Sequence, residues 1–312
     1  AFMPLERRRL GRTGFMVTPI GLGGAHLGRT GPGHDDFDDD QAVATIFEAL
    51  KLGIANIDTA PMYGESRRRV GLALKQLPAE GFRREDIILS TKTGRDSQSN
   101  PGYSYDDTMR SVENSLRLLH TDYIDILLVH DPSDLSPVLD PGGTLEALLE
   151  LKAQGIIRAI GLGARPHDFH RTCMETGDFD VSLTFCDYNL IDRSAVDGVL
   201  GPAAEHDVGV YNAAAVMLGL LGGEDPRIVA QRLGGFATPE RLARSVRVWE
   251  WCRERSVDLL AANLQLCARE KRIASTLVGA ASPEQIRRDV AALTTSLDES
   301  VFEELAEVAQ GE

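Results

Sequence analysis

YIDILLVHDP, residues 123–132, is an apolar run broken only by Asp125; it turns polar at His130 and stops at a proline. A strand that is apolar toward both sides needs both faces covered, as in a parallel sheet flanked by helices. Similar short runs recur along the chain: PIGLGG (19–24), IANID (54–58), DIILST (86–91), IDILLV (124–129), IRAIGLG (157–163), DVSLTF (180–185), VGVYNA (208–213) and STLVGA (275–280). Amphipathic stretches lie between them. DDQAVATIFEALKLG (39–53) opens on aspartates and closes on glycine, and residues 105–120, 144–155 and 194–207 follow the same plan. About eight strand–helix units predict an α/β fold, a (β/α)8 barrel rather than an open sheet. Barrels of this kind reach 312 residues as one unit, so residues 1–312 are expected to form a single domain.

Three stretches stand apart from the repeat. RRRLGRTGFMVTPI, ahead of the first unit, predicts a hairpin turning at GRTG and closing the barrel bottom. Residues 28–40 read as a Gly-rich acidic loop, and residues 219–256 as a loop followed by the helix PERLARSVRVWEWCRERS. The basic SRRRVG (66–71) reads as a solvated helix face.

Composition narrows the function. The net charge of −14 opposes contact with phosphate backbones, so nucleic acid is not an expected partner. Cys173, Cys186, Cys252 and Cys267 lack metal-ligand spacing and read as free buried thiols, which suits a reducing cytoplasm. No metal is expected. AFMPLERRRLGRTG lacks the apolar core of a signal peptide, and no run approaches a membrane span. GLGGAHLG (21–28) lacks the dinucleotide-fingerprint spacing, and no GxxxxGK[ST], HExxH or GxSxG occurs.

Strand C-termini share one face of a parallel barrel, and active sites form there. NIDTAPMYG ends its strand on Asp58 and carries Tyr63 in the following loop; STKTG places Lys92, and LLVHDP places His130. Each alone has an ordinary structural reading: a capping aspartate, a packed tyrosine, a solvated lysine, a satisfied histidine. Together they suit proton transfer. A phenol titrates near pH 10, too high for easy exchange at neutrality, and a nearby ammonium lowers that value. Lys92 can supply the charge, Asp58 can keep Lys92 protonated, and His130 can orient a substrate oxygen. Such a phenol suits carbonyl–alcohol interconversion beside a hydride carrier.

PIGLGG, NIDTAPMYG, STKTG, YIDILLVHDP, GIIRAIGLG, YNLIDR and VGAASPEQIRRDVAAL resemble the aldo-keto reductases over essentially the whole chain. The resemblance implies a (β/α)8 barrel with an N-terminal hairpin and C-terminal helices on the cofactor side. It assigns Asp58, Tyr63, Lys92 and His130 as the catalytic four. It implies a small sugar or carbonyl substrate, contacted by His26, Tyr63, His130 and Asp131. It also implies cofactor contacts at Gly24, Ala25, Asp58, Gly163, Phe185, Ala213, Ala214, Gly279, Ala281, Gln285 and Asp289. The chain departs from the common pattern around the nicotinamide. Gly163 and Ala164 replace a Ser-Asn pair, Phe185 a Gln, and Ala213 a stacking Tyr. VGVYNAAAVMLGLLGG and VGAAS look more like sugar 1-dehydrogenases of the L-galactose and D-threo-aldose (L-fucose) type.

That resemblance implies oxidation of an aldose at C1 to a lactone. The alternatives are an NADPH-dependent aldehyde or ketone reductase, or a cofactor-binding regulatory subunit of the potassium-channel β type. Loops 28–40 and 219–236 are where substrate choice is expected to lie. Cofactor choice turns on VGAASPEQIRRD, where Gly279 is followed by Ala280 and Ala281 and no cation is in place for a 2′-phosphate. Asp289 stands where the family usually has Asn. Arg287 and Arg288 read as solvated helix residues. NAD is therefore expected, with NADP as the alternative.

Overall fold

A computed structural model describes residues 5–29 and 37–311; residues 30–36 of the acidic loop lie outside the described residues. Eight parallel strands close into a barrel. They are β3 (Ile20–Gly23), β4 (Asn56–Asp58), β5 (Ile88–Thr93), β6 (Ile124–His130), β7 (Ile157–Gly163), β8 (Val181–Phe185), β9 (Gly209–Ala213) and β10 (Ser275–Gly279), with β10 pairing back onto β3. All eight expected strands are present, β7 with the bounds expected and the others with an end displaced by at most two residues. The shifts matter in two places: β5 extends through Lys92 to Thr93 and β6 reaches His130, so both polar residues sit within the sheet. Ile124, Ile126, Leu127, Leu128 and Val129 of β6 are all fully buried. Burying each such side chain is worth about 1.5–3 kcal/mol, which holds the strand in register despite its polar tip.

The hairpin is formed by β1 (Arg8–Arg9) and β2 (Met16–Val17), paired antiparallel through a turn at Gly11–Thr13. It closes the N-terminal end of the barrel, as expected. Arg12 donates its N–H to the Asp207 carbonyl (2.7 Å) and its guanidinium to Asp180 (3.0 Å). Leu10, Phe15 and Val17 join the cluster that fills the barrel.

The helices are α1 (Asp39–Lys51), α2 (Ser66–Gln76), α3 (Tyr105–Leu119), α4 (Ser136–Leu139), α5 (Thr144–Ala153), α6 (His167–Thr176), α7 (Gly201–Glu205), α8 (Pro226–Ala230), α9 (Pro239–Glu254), α10 (Leu259–Arg269), α11 (Pro283–Ala292) and α12 (Ser300–Gln310). Local sequence explains the starts. Asp38 caps α1 by accepting from Gln41 N–H (2.9 Å), and Ser104 with Asp107 forms a capping box on α3. Residues 194–207 are not one continuous α-helix. A π turn at Val196–Leu200 precedes α7, because Pro202 has no N–H for the ladder. Residues 219–236 carry α8 and short 3-10 turns rather than a bare loop.

The solvated reading of residues 66–71 is corrected. Arg67 and Arg69 on α2 are buried. Arg69 donates to the Leu27 and Arg29 carbonyls (both 2.8 Å) and to Asp39 (2.9 Å), while Arg67 reaches Ser115 Oγ (3.1 Å). Only Arg68 is partly exposed, paired with Asp39 and Glu65. The cluster ties α2 to the loop after β3 and to α1. The four cysteines are free and buried, and burial pushes the Cys173, Cys252 and Cys267 thiols up to about 12. Among the described residues no helix is long and apolar enough to cross a membrane.

Candidate active site

Asp58 closes β4 and Lys92 lies in β5, so the two meet across adjacent strands. Lys92 Nζ donates to Asp58 Oδ2 (2.5 Å) and to the Thr59 carbonyl (3.0 Å), and Ser90 Oγ donates to Asp58 Oδ1 (2.6 Å). The pair is almost wholly buried, with side-chain exposures of 1% and 4%. Burial favours loss of the Lys92 proton, yet the negative charge of Asp58, joined by Tyr63, outweighs it and leaves the Lys92 pKa raised. The ammonium state is therefore secured by its neighbours.

Tyr63 reaches the pair from a tight loop. Gly64 adopts φ +49°, and Gly28 lies against the Tyr63 carbonyl so closely that a Cβ there would sit 1.6 Å from it. Glu65 N–H donates to the Gly28 carbonyl (3.3 Å). Gly24 makes a similar approach: a Cβ on it would lie 2.4 Å from the Asp58 carbonyl. Small residues thus let the loop after β3 press on the loop after β4 and fix the tyrosine. The Lys92 ammonium lies 4.8 Å from the centre of the Tyr63 ring, and the His130 ring meets Tyr63 edge-on at 6.0 Å.

The electrostatics at Tyr63 differ from expectation. Burial raises its pKa above the usual phenol value, and Lys92, though it pulls in the opposite direction, does not reverse the net shift. Asp58 and Asp131 add to the rise. The phenol is the resting form, and Lys92 limits the cost of ionising it rather than making it acidic.

His130 ends β6. Burial, with the Lys92 and Arg95 charges, pushes its pKa down to about 3, so the imidazole is neutral at physiological pH. Its carbonyl accepts from Tyr103 OH (2.7 Å). Asp131 follows in a left-handed conformation (φ +44°), held by its N–H on the Gly163 carbonyl (2.8 Å) and by Arg95 donating to its own carbonyl (3.0 and 2.9 Å). Its carboxylate stays 3.8 Å from His130 Nε2.

The expected cofactor residues form the rim. Gly163, Phe185, Ala213 and Gly279 are at the ends of β7, β8, β9 and β10. Gly163 faces Lys92: a Cβ there would be 3.9 Å from Lys92 Cε. Phe185 and Ala213 pair across β8 and β9, and Ala214 follows with φ +51°. Ala25 is exposed beside Gly24, and the half-buried His26 packs with its Nδ1 against Gly279. At the start of α11, Gln285 Oε1 accepts from the Ala281 N–H (2.7 Å), so that donor is taken by a side chain. Asp289 carries a carboxyl that burial pushes up to about 7, against the pull of Arg288. Arg287 is engaged by Glu48 and Glu284, and Arg288 donates to the Gly222 carbonyl (2.9 Å). Both are exposed, but neither is merely solvated. The small residues at the strand ends, Gly163, Ala213 and Gly279, leave room at the barrel mouth for a nicotinamide cofactor. Among the described residues no group of His, Cys, Asp or Glu could hold a metal.

Ser90, Thr59, Tyr103, Arg95 and Arg69 support the site but were not singled out from sequence. Ser90 has a readable signal, being the polar residue two before Lys92 in a strand. The others act through backbone carbonyls, which leave no pattern.

The profile described as the aldo/keto reductase family matches residues 19–310, and the chain belongs to that family. Its members are NAD(P)-dependent oxidoreductases that act on small aldehyde or sugar substrates, and the tetrad geometry lies where the fold puts such chemistry. The chain is 34% identical to an L-galactose dehydrogenase of Arabidopsis thaliana, over 93% of this chain and 88% of that one. It is 33% identical to a pyridoxal 4-dehydrogenase of Microbacterium luteolum, over 91% and 92%. A solved aldo-keto reductase from Bacillus halodurans, in its holo form, superposes with a TM-score of 0.75 at 28% identity, covering 98% of this chain and 96% of that one.

Proposed function

We propose that this enzyme oxidises the C1 hydroxyl of an aldose, held as its cyclic hemiacetal, to the lactone, with NAD as hydride acceptor. The observation that carries the proposal is the buried Lys92–Asp58 pair beneath Tyr63, with neutral His130 beside the same phenol. Bound nicotinamide supplies the carbon that accepts the hydride. Tyr63 takes the hydroxyl proton as the C1 hydride leaves, and Lys92 offsets the charge of the phenolate that does so. Asp58 keeps Lys92 protonated. His130 hydrogen-bonds the reacting oxygen through Nε2, and its neutrality avoids a second cation next to Lys92. Galactose and pyridoxal, named for the two relatives, both close to cyclic hemiacetals, which favours a hemiacetal hydroxyl over an open aldehyde as the group oxidised.

NAD is favoured over NADP because Ala280 and Ala281 offer no cation and Arg287 is already paired with two carboxylates. The second reading is NADPH-dependent reduction of an aldehyde or ketone by the same four residues run backwards. A spectrophotometric screen of aldoses and simple aldehydes, with NAD(H) and NADP(H) separately, distinguishes the two. Aldose oxidation well above aldehyde reduction is expected. Ready aldehyde reduction with no aldose turned over would establish the second reading instead.

A further inference from the structure

His130 is followed by a side chain that the acid–base step does not use. Asp131 directly follows β6 at the barrel mouth, and 39% of its side chain stays exposed beside the buried His130 ring. Its Oδ2 lies 3.8 Å from His130 Nε2. That is beyond hydrogen-bond reach, and a neutral imidazole forms no ion pair. Among the described residues no hydrogen bond engages the carboxylate.

The backbone that carries this carboxylate is strained and tightly held. Its φ is +44°, uncommon for a residue with a side chain, and Pro132 behind it restricts the choice further. The peptide groups on both sides are pinned. The His130 carbonyl accepts from Tyr103 OH (2.7 Å), and the Asp131 N–H donates to the Gly163 carbonyl (2.8 Å). The Asp131 carbonyl accepts twice from Arg95 (3.0 and 2.9 Å), which is itself braced on the Ser99 carbonyl (3.0 Å). Arg95 thus directs its donors to carbonyls and leaves the carboxylate free. Strained residues held by their surroundings gather at ligand sites. Here the fixed backbone keeps a free acceptor beside the nitrogen that faces the reacting oxygen.

We propose that Asp131 sets substrate choice: its carboxylate accepts a hydrogen bond from a hydroxyl on the carbon next to the reacting one, so the enzyme selects 2-hydroxy substrates, aldoses among them, over 2-deoxy sugars and simple aldehydes. This role deepens the reading above and rests on His130 Nε2 holding the reacting oxygen. Hydrogen bonds of about 2.7–3.0 Å, one from Nε2 to the reacting oxygen and one from a second hydroxyl to Oδ2, bridge the 3.8 Å between those atoms when the two oxygens are on neighbouring carbons. On a cyclic hemiacetal the neighbours of C1 are the ring oxygen, which has no proton to give, and C2. The C2 hydroxyl is therefore the group read. A substrate that lacks it leaves the partly buried carboxylate facing carbon, and a site built to bond a hydroxyl rejects such an analogue.

The test compares substrate pairs that differ at this hydroxyl, on wild type, Asp131→Gly and Asp131→Asn. Glycine suits the left-handed backbone and removes the carboxylate; asparagine tolerates it and keeps one uncharged acceptor. The pairs are L-galactose against 2-deoxy-L-galactose, oxidised with NAD, and glyceraldehyde against propanal, reduced with NADH and with NADPH. The readout is the ratio of kcat/KM values within a pair, which loss of folded protein does not change. Comparing that ratio between wild type and variant also cancels the intrinsic reactivity of the two substrates. Asp131→Gly should lower the ratio by about tenfold or more in whichever direction wild type is active, and Asp131→Asn by less. A ratio that Asp131→Gly leaves intact overturns the proposal and puts recognition of this hydroxyl elsewhere. If L-galactose is oxidised readily and its ratio is insensitive to Asp131→Gly, only the role of Asp131 fails. If glyceraldehyde shows the expected change but neither sugar is oxidised, the lactone-forming reading fails and the role of Asp131 stands. Turnover of neither pair by wild type overturns both.

Discussion

Replacing Lys92 by methionine isolates the buried charge pair. Methionine keeps most of the side-chain length and removes the ammionium donors to Asp58 Oδ2 and the Thr59 carbonyl. Asp58 is then left with the Ser90 hydroxyl as its remaining donor in the structure. Breaking a buried pair by deleting one partner costs about 3–5 kcal/mol. That is a large part of a typical total stability of about 5–15 kcal/mol. The pH dependence gives the cause. An unpaired buried carboxylate has its folded pKa raised above the unfolded value of about 3.9. Its folded state is therefore favoured at low pH and loses stability as pH rises from the unfolded pKa toward the folded one. The deficit of Lys92→Met relative to wild type should thus be small near pH 4 and full at pH 8. The double variant Asp58→Asn/Lys92→Met should recover most of the loss at pH 8, because no buried charge remains. Urea unfolding at the two pH values, followed by circular dichroism, measures all of this. An equal deficit at both pH values, or a double variant no more stable than the single one, would refute the reasoning.

Tyr63→Phe should lower turnover by ~10²–10⁴-fold or more while cofactor affinity by fluorescence titration stays near wild type; retained turnover would sink the assigned role. His130 titrates near 3, so the kcat/KM profile should show no limb near pH 6.5 that His130→Gln abolishes; finding one would contradict a neutral imidazole. Asp289 is raised to about 7 from an ordinary carboxylate value, so it detracts from stability increasingly as pH rises from about 4 to 7. Asp289→Asn should accordingly raise the melting temperature at pH 8 and leave it nearly unchanged at pH 4, and an equal effect at both would exclude burial as the cause. Ala281→Arg should shift the ratio of kcat/KM values toward NADP by about tenfold, and an unchanged ratio would place the 2′-hydroxyl elsewhere.

The parts of this molecule that were legible in sequence share one property: they alter a local period. Ile124–Val129 reads as a doubly covered strand because five of its six residues are apolar, and His130 stands out because it ends that run. Asp58 and Lys92 are conspicuous for the same reason, as charges at the ends of buried strands, so the sequence alone groups them with Tyr63 and His130. What stayed hidden depends on distances between segments far apart in the chain. The contact of Gly28 with the Tyr63 carbonyl, the Arg69 bonds to Leu27 and Arg29, and the turn of Gln285 onto Ala281 have no local signature. The same limit explains the electrostatics. Sequence identifies which charges can act on Tyr63, but the sign of the net shift is a contest between burial and Lys92, and burial is a property of the packed barrel. Arg67 and Arg69 make the point from the other side. Three consecutive arginines read as a solvated face because a charge alone prefers water, yet two of them are drawn inward, Arg69 by unpaired carbonyls in the loop after β3 and Arg67 by a serine on α3. Charge buried against backbone acceptors is therefore the feature to seek when a basic run adjoins a candidate site, since the loops it fastens are the ones that aim the chemistry.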